Sequence, residues 1–274
     1  MKLSVSLFAF ASMWHSVLAQ ENLTFLRGKG DEAKLAEEDV GDSFGNMVNS
    51  DERDLQSCYT RWYTFEKGIS GDWDQQTTSI RQNTIGGVWA MHSKGTGADN
   101  WARMRYAKYT FNNHPTATTR IKVQVRGAPD GGKNSNAYLM ETKGVYNLDA
   151  AIQDGSKDEI DFFEYYGGSN KETMNVYRRG KQVANYPQTL TKVTSAGTKL
   201  YTYELILKKA QKYLLVMVYD ETGKEIERRE LTGDSVPTQP MELFIGIWDC
   251  SSWCPGKVDY DTWMGVKSVY IEAC

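Results

Sequence analysis

The stretch DEIDFFEYYGG (158–168) carries Glu159, Asp161 and Glu164 within six positions of an apolar, aromatic run. Such a run reads as a strand. On a plain strand Glu159 and Asp161 share a face and Glu164 points away. One extra residue, a β-bulge at Phe162-Phe163, returns Glu164 to their side. The glutamates then stand about four strand steps apart, roughly 13 Å between backbones, and side chains leaning toward a shared ligand bring the carboxyls to about 5 Å. At that separation one carboxylate attacks an anomeric carbon. A protonated partner gives its proton to the leaving oxygen and then serves as base on water. Three acids on one face repel when all are ionised, so at least one keeps a proton and they titrate as a group. Asp161, in the middle, is placed to hydrogen-bond the nucleophile. The alternatives are a solvated strand face or a calcium site. No base lies within 158–168, and unneutralised acids in an apolar setting are costly, which favours chemistry.

The elements that must position these acids are strands. From residue 58 onward no long amphipathic helix is legible. Short aromatic and β-branched runs recur between turn signals: YTRWYTF (59–65), GVWAMHS (87–93), TTRIKVQVR (118–126), NAYLM (136–140), MNVYR (174–178), LYTYELIL (200–207), KYLLVMVYD (212–220), ELFIGIW (242–248) and VKSVYIEA (266–273). In TTRIKVQVR, Ile121, Val123 and Val125 alternate with Arg120, Lys122, Gln124 and Arg126, the pattern of a half-buried strand. So many strands in one unit predict two packed antiparallel sheets, a jelly-roll or lectin-like sandwich. GAPDGGKN (127–134) nearly matches a phosphate-binding loop, but it ends in Asn134 and precedes a strand, so it reads as a surface turn.

The rest of the chain bounds compartment and partners. MKLSVSLFAFASMWHSVLAQ has a short basic start, an apolar run and a small-residue cleavage site, which reads as a signal peptide over 1–19. Residues 20–57 hold ten acids against four bases and few aromatics, which reads as a disordered leader or propeptide. Removing that segment and Lys2 from the total of −3 leaves residues 58–274 at +2, with no basic stripe for nucleic acid. Asn22 begins the one glycosylation sequon. The four cysteines are even in number and follow a signal sequence, so they read as disulfides. Of the three possible pairings, Cys58–Cys274 and Cys250–Cys254 are expected, tying the ends and closing a small loop. A zinc site lacks ligands, since the mature histidines His92 and His114 lie far from the cysteines. Asp259 and Asp261 are too weak a signal to assign a structural calcium.

EIDFFEYYG resembles the active-site signature of glycoside hydrolase family 16 in its bulged form, E-x-D-x-x-E, typical of laminarinase-type β-1,3-glucanases and related agarases and carrageenases. QPMELFIGIWDCSSWCPGKVDYDTW (239–263), LYTYELILKKAQKYLLVMVYDETG (200–223) and MNVYRRG (174–180) resemble further segments of that family, in consistent order. The resemblance implies a concanavalin-like β-jelly roll over 58–274 and a secreted, retaining endo-β-glycosidase. Its substrate would be a polysaccharide, best matched by β-1,3-glucan. It implies Glu159 as nucleophile, Asp161 as assisting acid and Glu164 as general acid/base. It also implies Trp248 and Trp253 as sugar-stacking aromatics, Asn175 as a polar cleft residue, and Tyr138 where a tryptophan is usual. The expected state is a monomer without organic cofactor. The rivals are a wall transglycosylase using the same acids and a β-glycan-binding lectin, which needs no complete Glu-Asp-Glu set. Tyr201 and Ile206-Leu207 depart from the family's His and Glu-Trp.

Overall fold

The computed structural model describes residues 58–77, 82–95, 101–142, 155–169, 171–252 and 254–274. The expected signal peptide, the acidic leader, Asn22 and Trp253 lie outside them. In chain order the strands are β1 (Tyr59–Thr64), β2 (Trp73–Thr77), β3 (Gln82–Ile85), β4 (Val88–Lys94), β5 (Trp101–Tyr106), β6 (Thr118–Arg126), β7 (Lys133–Met140), β8 (Glu159–Tyr166), β9 (Lys171–Arg178), β10 (Lys181–Gln182), β11 (Gln188–Thr189), β12 (Tyr201–Lys208), β13 (Tyr213–Tyr219), β14 (Glu225–Thr232), β15 (Glu242–Asp249) and β16 (Asp261–Ala273). They form two antiparallel sheets. One runs β14-β13-β12-β6-β16-β4-β3, with β1 on β16; the other runs β10-β9-β8-β7-β15-β5-β2, with β11 on β9. This is the predicted jelly-roll sandwich. Among the described residues no helix is long and apolar enough to cross a membrane.

Alternation builds the core. Ile121, Val123 and Val125 of β6 are buried and face Ile160, Met174, Val176, Ile245 and Ile247 of the second sheet within one apolar cluster. The polar residues between them on β6 are partly exposed, as the period of two requires. The GAPDGGKN segment is a correction. Lys133 and Asn134 are not in a surface turn but open β7, and both are buried. Lys133 is accommodated because its ammonium reaches the Gly95 carbonyl and lies 3.8 Å from Asp249.

The disulfides are Cys58–Cys274 and Cys250–Cys254. The first spans 216 residues of chain. Closing so long a loop restricts the unfolded ensemble by about 5 kcal/mol. Replacing Cys58 and Cys274 together by serine is expected to lower the melting temperature by about 10 °C in calorimetry. The same change at Cys250 and Cys254 removes a bridge that closes a far shorter loop and should cost less; equal losses would contradict the loop argument.

Glu172 of β9 points between the sheets and is 1% exposed. Burial pushes its carboxyl well above the usual range; the Tyr203 hydroxyl opposes this and the charge of Glu227 adds to it. Below the unfolded-state value of about 4.3 both folded and unfolded forms are protonated, and nothing is lost. As the pH rises from there toward the raised folded-state value, the unfolded chain gives up its proton first and stability falls. Glu172→Gln should therefore gain on the wild type by up to roughly 1.4 kcal/mol per pH unit above about pH 4.3. Denaturant midpoints across pH 4–9 test this, and parallel curves for the two proteins would refute it.

Candidate active site

The bulge sits where parity demanded it. On β9, Asp161 pairs with Asn175 and Glu164 with Thr173, so Phe162 and Phe163 stand against Met174 alone. On β7, Tyr138 pairs with Asp161 and Ala137 with Phe163. Both phenylalanines are fully buried in the main core. Burying a phenylalanine contributes about 1.5–3 kcal/mol, so the extra residue brings its own stabilisation. The consequence is that Ile160, Phe162, Phe163 and Tyr165 face inward, while Glu159, Asp161 and Glu164 share the outer face.

Cross-strand register then decides what surrounds them. Glu159 lies between Tyr177 of β9 and Met140 of β7. Asp161 lies between Asn175 and Tyr138, and Tyr138 in turn opposes Phe244 of β15. Glu164 lies between Thr173 and Asn136, and Asn136 opposes Gly246. Beyond Gly246 comes Arg103 of β5. A Cβ at Gly246 would meet Arg103 Cβ at 2.7 Å and the Ala102 carbonyl at 2.8 Å. The glycine therefore lets β5 approach, and Arg103 lies with its guanidinium 4.7 Å from the Trp101 ring centre and 5.5 Å from that of Phe244. Its Nε donates to Gln76 Oε1 at 2.5 Å. Tyr138, Met140 and Phe244 form a small apolar cluster on this face, separate from the main core, with Trp248 packed against it.

The carboxyls are held by donors. Asn136 Nδ2 donates to Asp161 Oδ1 at 2.9 Å. Asn134 Nδ2 donates to Glu164 Oε1 at 3.1 Å, and the Thr173 hydroxyl to Glu164 Oε2 at 2.9 Å. Burial is the main cause of every shift in the group. It drives Asp161 well above the carboxylate range, and the charges of Glu159 and Glu164 push the same way. Glu159 is pushed up to about 7 by burial, against the hydrogen bond it accepts from Asp161. Glu164 is also raised by burial, against Thr173, Asn134 and Tyr166. Glu159 and Asp161 therefore titrate together, and burial raises Asp161 well above the carboxylate range.

Of the residues singled out in the sequence, Asn175 is 5% exposed; its Oδ1 accepts from Gln182 and its Nδ2 donates to Tyr177. Tyr138 is 1% exposed and stacked on Phe244, with ring centres 5.2 Å apart, so it is floor and not an open platform. Trp248 stands edge-on to Tyr138 and is partly exposed. Cys250 follows β15 directly and is bonded to Cys254. Asp261 pairs with His92 at 3.1 Å, and among the described residues no group of three or more His, Cys, Asp or Glu is placed for a metal ion. Sequence reading missed Asn134, Asn136, Thr173, Tyr177 and Arg103. The alternation Asn134–Asn136–Tyr138 along β7 was an available signal; β5 (WARMRY) offered little, being short and charged.

A family model described as glycosyl hydrolases family 16 matches residues 107–264. No curated protein matches the chain. Among solved structures, a prokaryotic β-1,3-1,4-glucanase (lichenase) from a mouse hindgut metagenome is 15% identical, covering 77% of this chain and 98% of its own, with TM-score 0.57. The apo Crh5 transglycosylase is 20% identical, covering 78% and 83%, with TM-score 0.57. The catalytic domain of an endo-1,3-β-glucanase (laminarinase) from Thermotoga petrophila RKU-1 is 10% identical, covering 77% and 96%, with TM-score 0.54. At these identities the likeness is one of fold.

Proposed function

The chain belongs to glycosyl hydrolases family 16, and from that premise we propose that it is a retaining endo-β-glycosidase acting on a polysaccharide, best matched by β-1,3-glucan. The observation that carries this reading is the bulge at Phe162-Phe163, which gathers three acids on one face with the E-x-D-x-x-E spacing. Glu159 attacks the anomeric carbon, and Asp161 hydrogen-bonds it through the proton it holds. Glu164 gives its proton to the departing glycosidic oxygen. In the second half, Glu164 takes a proton from water as that water displaces the Glu159 carboxylate, so the configuration is retained. Asn175, Trp248 and Trp253 are assigned to sugar contact, while Tyr138, buried against Phe244 and Trp248, supports that face. The same reading takes 1–19 as a signal peptide for secretion, 20–57 as a leader and 58–274 as the catalytic domain, working as a monomer without organic cofactor.

A second reading, transfer of the glycosyl group to a sugar hydroxyl, is supported by the likeness to the Crh5 transglycosylase. Incubating the protein with laminarin oligosaccharides in ¹⁸O-water separates the two. Shorter products labelled at the new reducing end are expected for hydrolysis; longer unlabelled products would establish transfer. Binding without turnover on any β-glycan would leave a lectin and refute both.

A further inference from the structure

Glu164, as the acid/base on whose proposed role the inference rests, must gain and lose a proton in every turnover. It does so while gripped from both neighbouring strands. Thr173, its direct partner on β9, donates to Oε2 at 2.9 Å. Asn134 on β7 donates to Oε1 at 3.1 Å. Thr173 is 0% exposed and Asn134 is 1% exposed. Water therefore does not substitute for either bond, and the two donors on opposite oxygens fix the plane of the carboxyl group.

These donors also act against their surroundings. Burial disfavours the carboxylate, and on β8 Glu159 and Asp161 face Glu164 as further acids. Tyr166 on the same strand bonds to it, Lys171 on β9 lies near it, and Tyr177 on β9 feels its charge. On the same face β7 presents only neutral side chains, Asn134, Asn136 and Tyr138. Without hydrogen bonds to the charged form, such a site holds its proton too tightly to give it up. We propose that Thr173 and Asn134 are positioning residues that hold the Glu164 carboxyl from both sides and keep its proton exchangeable. Neither touches a reacting atom; both act through Glu164.

A conservative series at Thr173 makes this testable. Valine keeps the shape of threonine and removes the donor; serine keeps the donor. The Glu164 titration is read directly by carboxyl ¹³C NMR of the full chain labelled at glutamate, with Glu164→Gln assigning the resonance. Thr173→Val is expected to raise the midpoint by about one pH unit, Asn134→Ala to raise it similarly, and Thr173→Ser to restore it. The alkaline limb of the pH–activity profile should move with it, because that limb marks loss of the acid's proton. A merely structural role would lower the melting temperature and leave the midpoint alone. An unmoved midpoint in a folded Thr173→Val or Asn134→Ala protein would overturn the proposal. A Glu164→Gln protein with full activity on glucan would instead remove the acid/base reading itself, and the proposal with it.

Discussion

Glu159→Gln is expected to lose on the order of 10⁴-fold or more in turnover on β-glucan, the scale seen when a catalytic nucleophile is deleted. The same variant is expected to melt a few degrees higher than the wild type near neutral pH. The two effects have one cause. Glu159 is partly exposed beside the buried Asp161 and Glu164, and the desolvation of its carboxyl lifts it to about 7. Its folded-state value thus exceeds the unfolded value of about 4.3. Stability is whole below pH 4.3, falls as the pH rises from there, and is lost in full once the pH passes about 7. Glutamine cannot ionise, so the variant escapes that loss. Melting curves should coincide near pH 4 and separate most above pH 7. An active Glu159→Gln protein would end its assignment as nucleophile. An inactive protein with no pH-dependent gain would mean that the carboxyl is solvated and its charge is not disfavoured.

The second large effect is expected at Glu164. Removing it as Glu164→Ala should abolish cleavage of native glucan, since the leaving sugar oxygen then departs unprotonated. A 2,4-dinitrophenyl β-glycoside needs no such help, so its first step should proceed at a rate close to that of the wild type. The glycosyl-enzyme then accumulates, because no base activates water. Added azide, which needs no base, should release it as the β-glycosyl azide, and that configuration reports double displacement. An α-azide would contradict retention through a Glu159 ester. No burst with the activated substrate would show that Glu164→Ala has damaged more than proton transfer.

The sandwich was legible because alternation is a local property. TTRIKVQVR declares a half-buried strand without reference to any other segment, and β6 has that burial. The acids and their bulge were legible for a related reason: Glu164 has the wrong parity for a plain strand, and two adjacent phenylalanines supply apolar surface for the added residue. The short strands β2, β3 and β5 were not legible. They are charged or polar in sequence and become strands only by pairing, β5 between β15 and β2, and the edge strands β2 and β3 on β5 and β4.

By itself, then, the amino-acid sequence determined the all-β character, the cysteine pairs open to oxidation and the three acids with the chemistry that their types allow. Only the tertiary structure decided which neutral groups hold those acids. Asn136 meets Glu164, and Gly246 meets Asn136, because β7, β8 and β15 pair in one register. A shift of one residue would turn every one of those side chains to the other face. That register is set by contacts between segments distant along the chain, above all by the burial of Phe162 and Phe163, and no window of sequence around Glu164 contains Asn134 or Arg103. The alternation of a strand is encoded every two residues; what lies across from it is encoded in the packing of the whole sandwich.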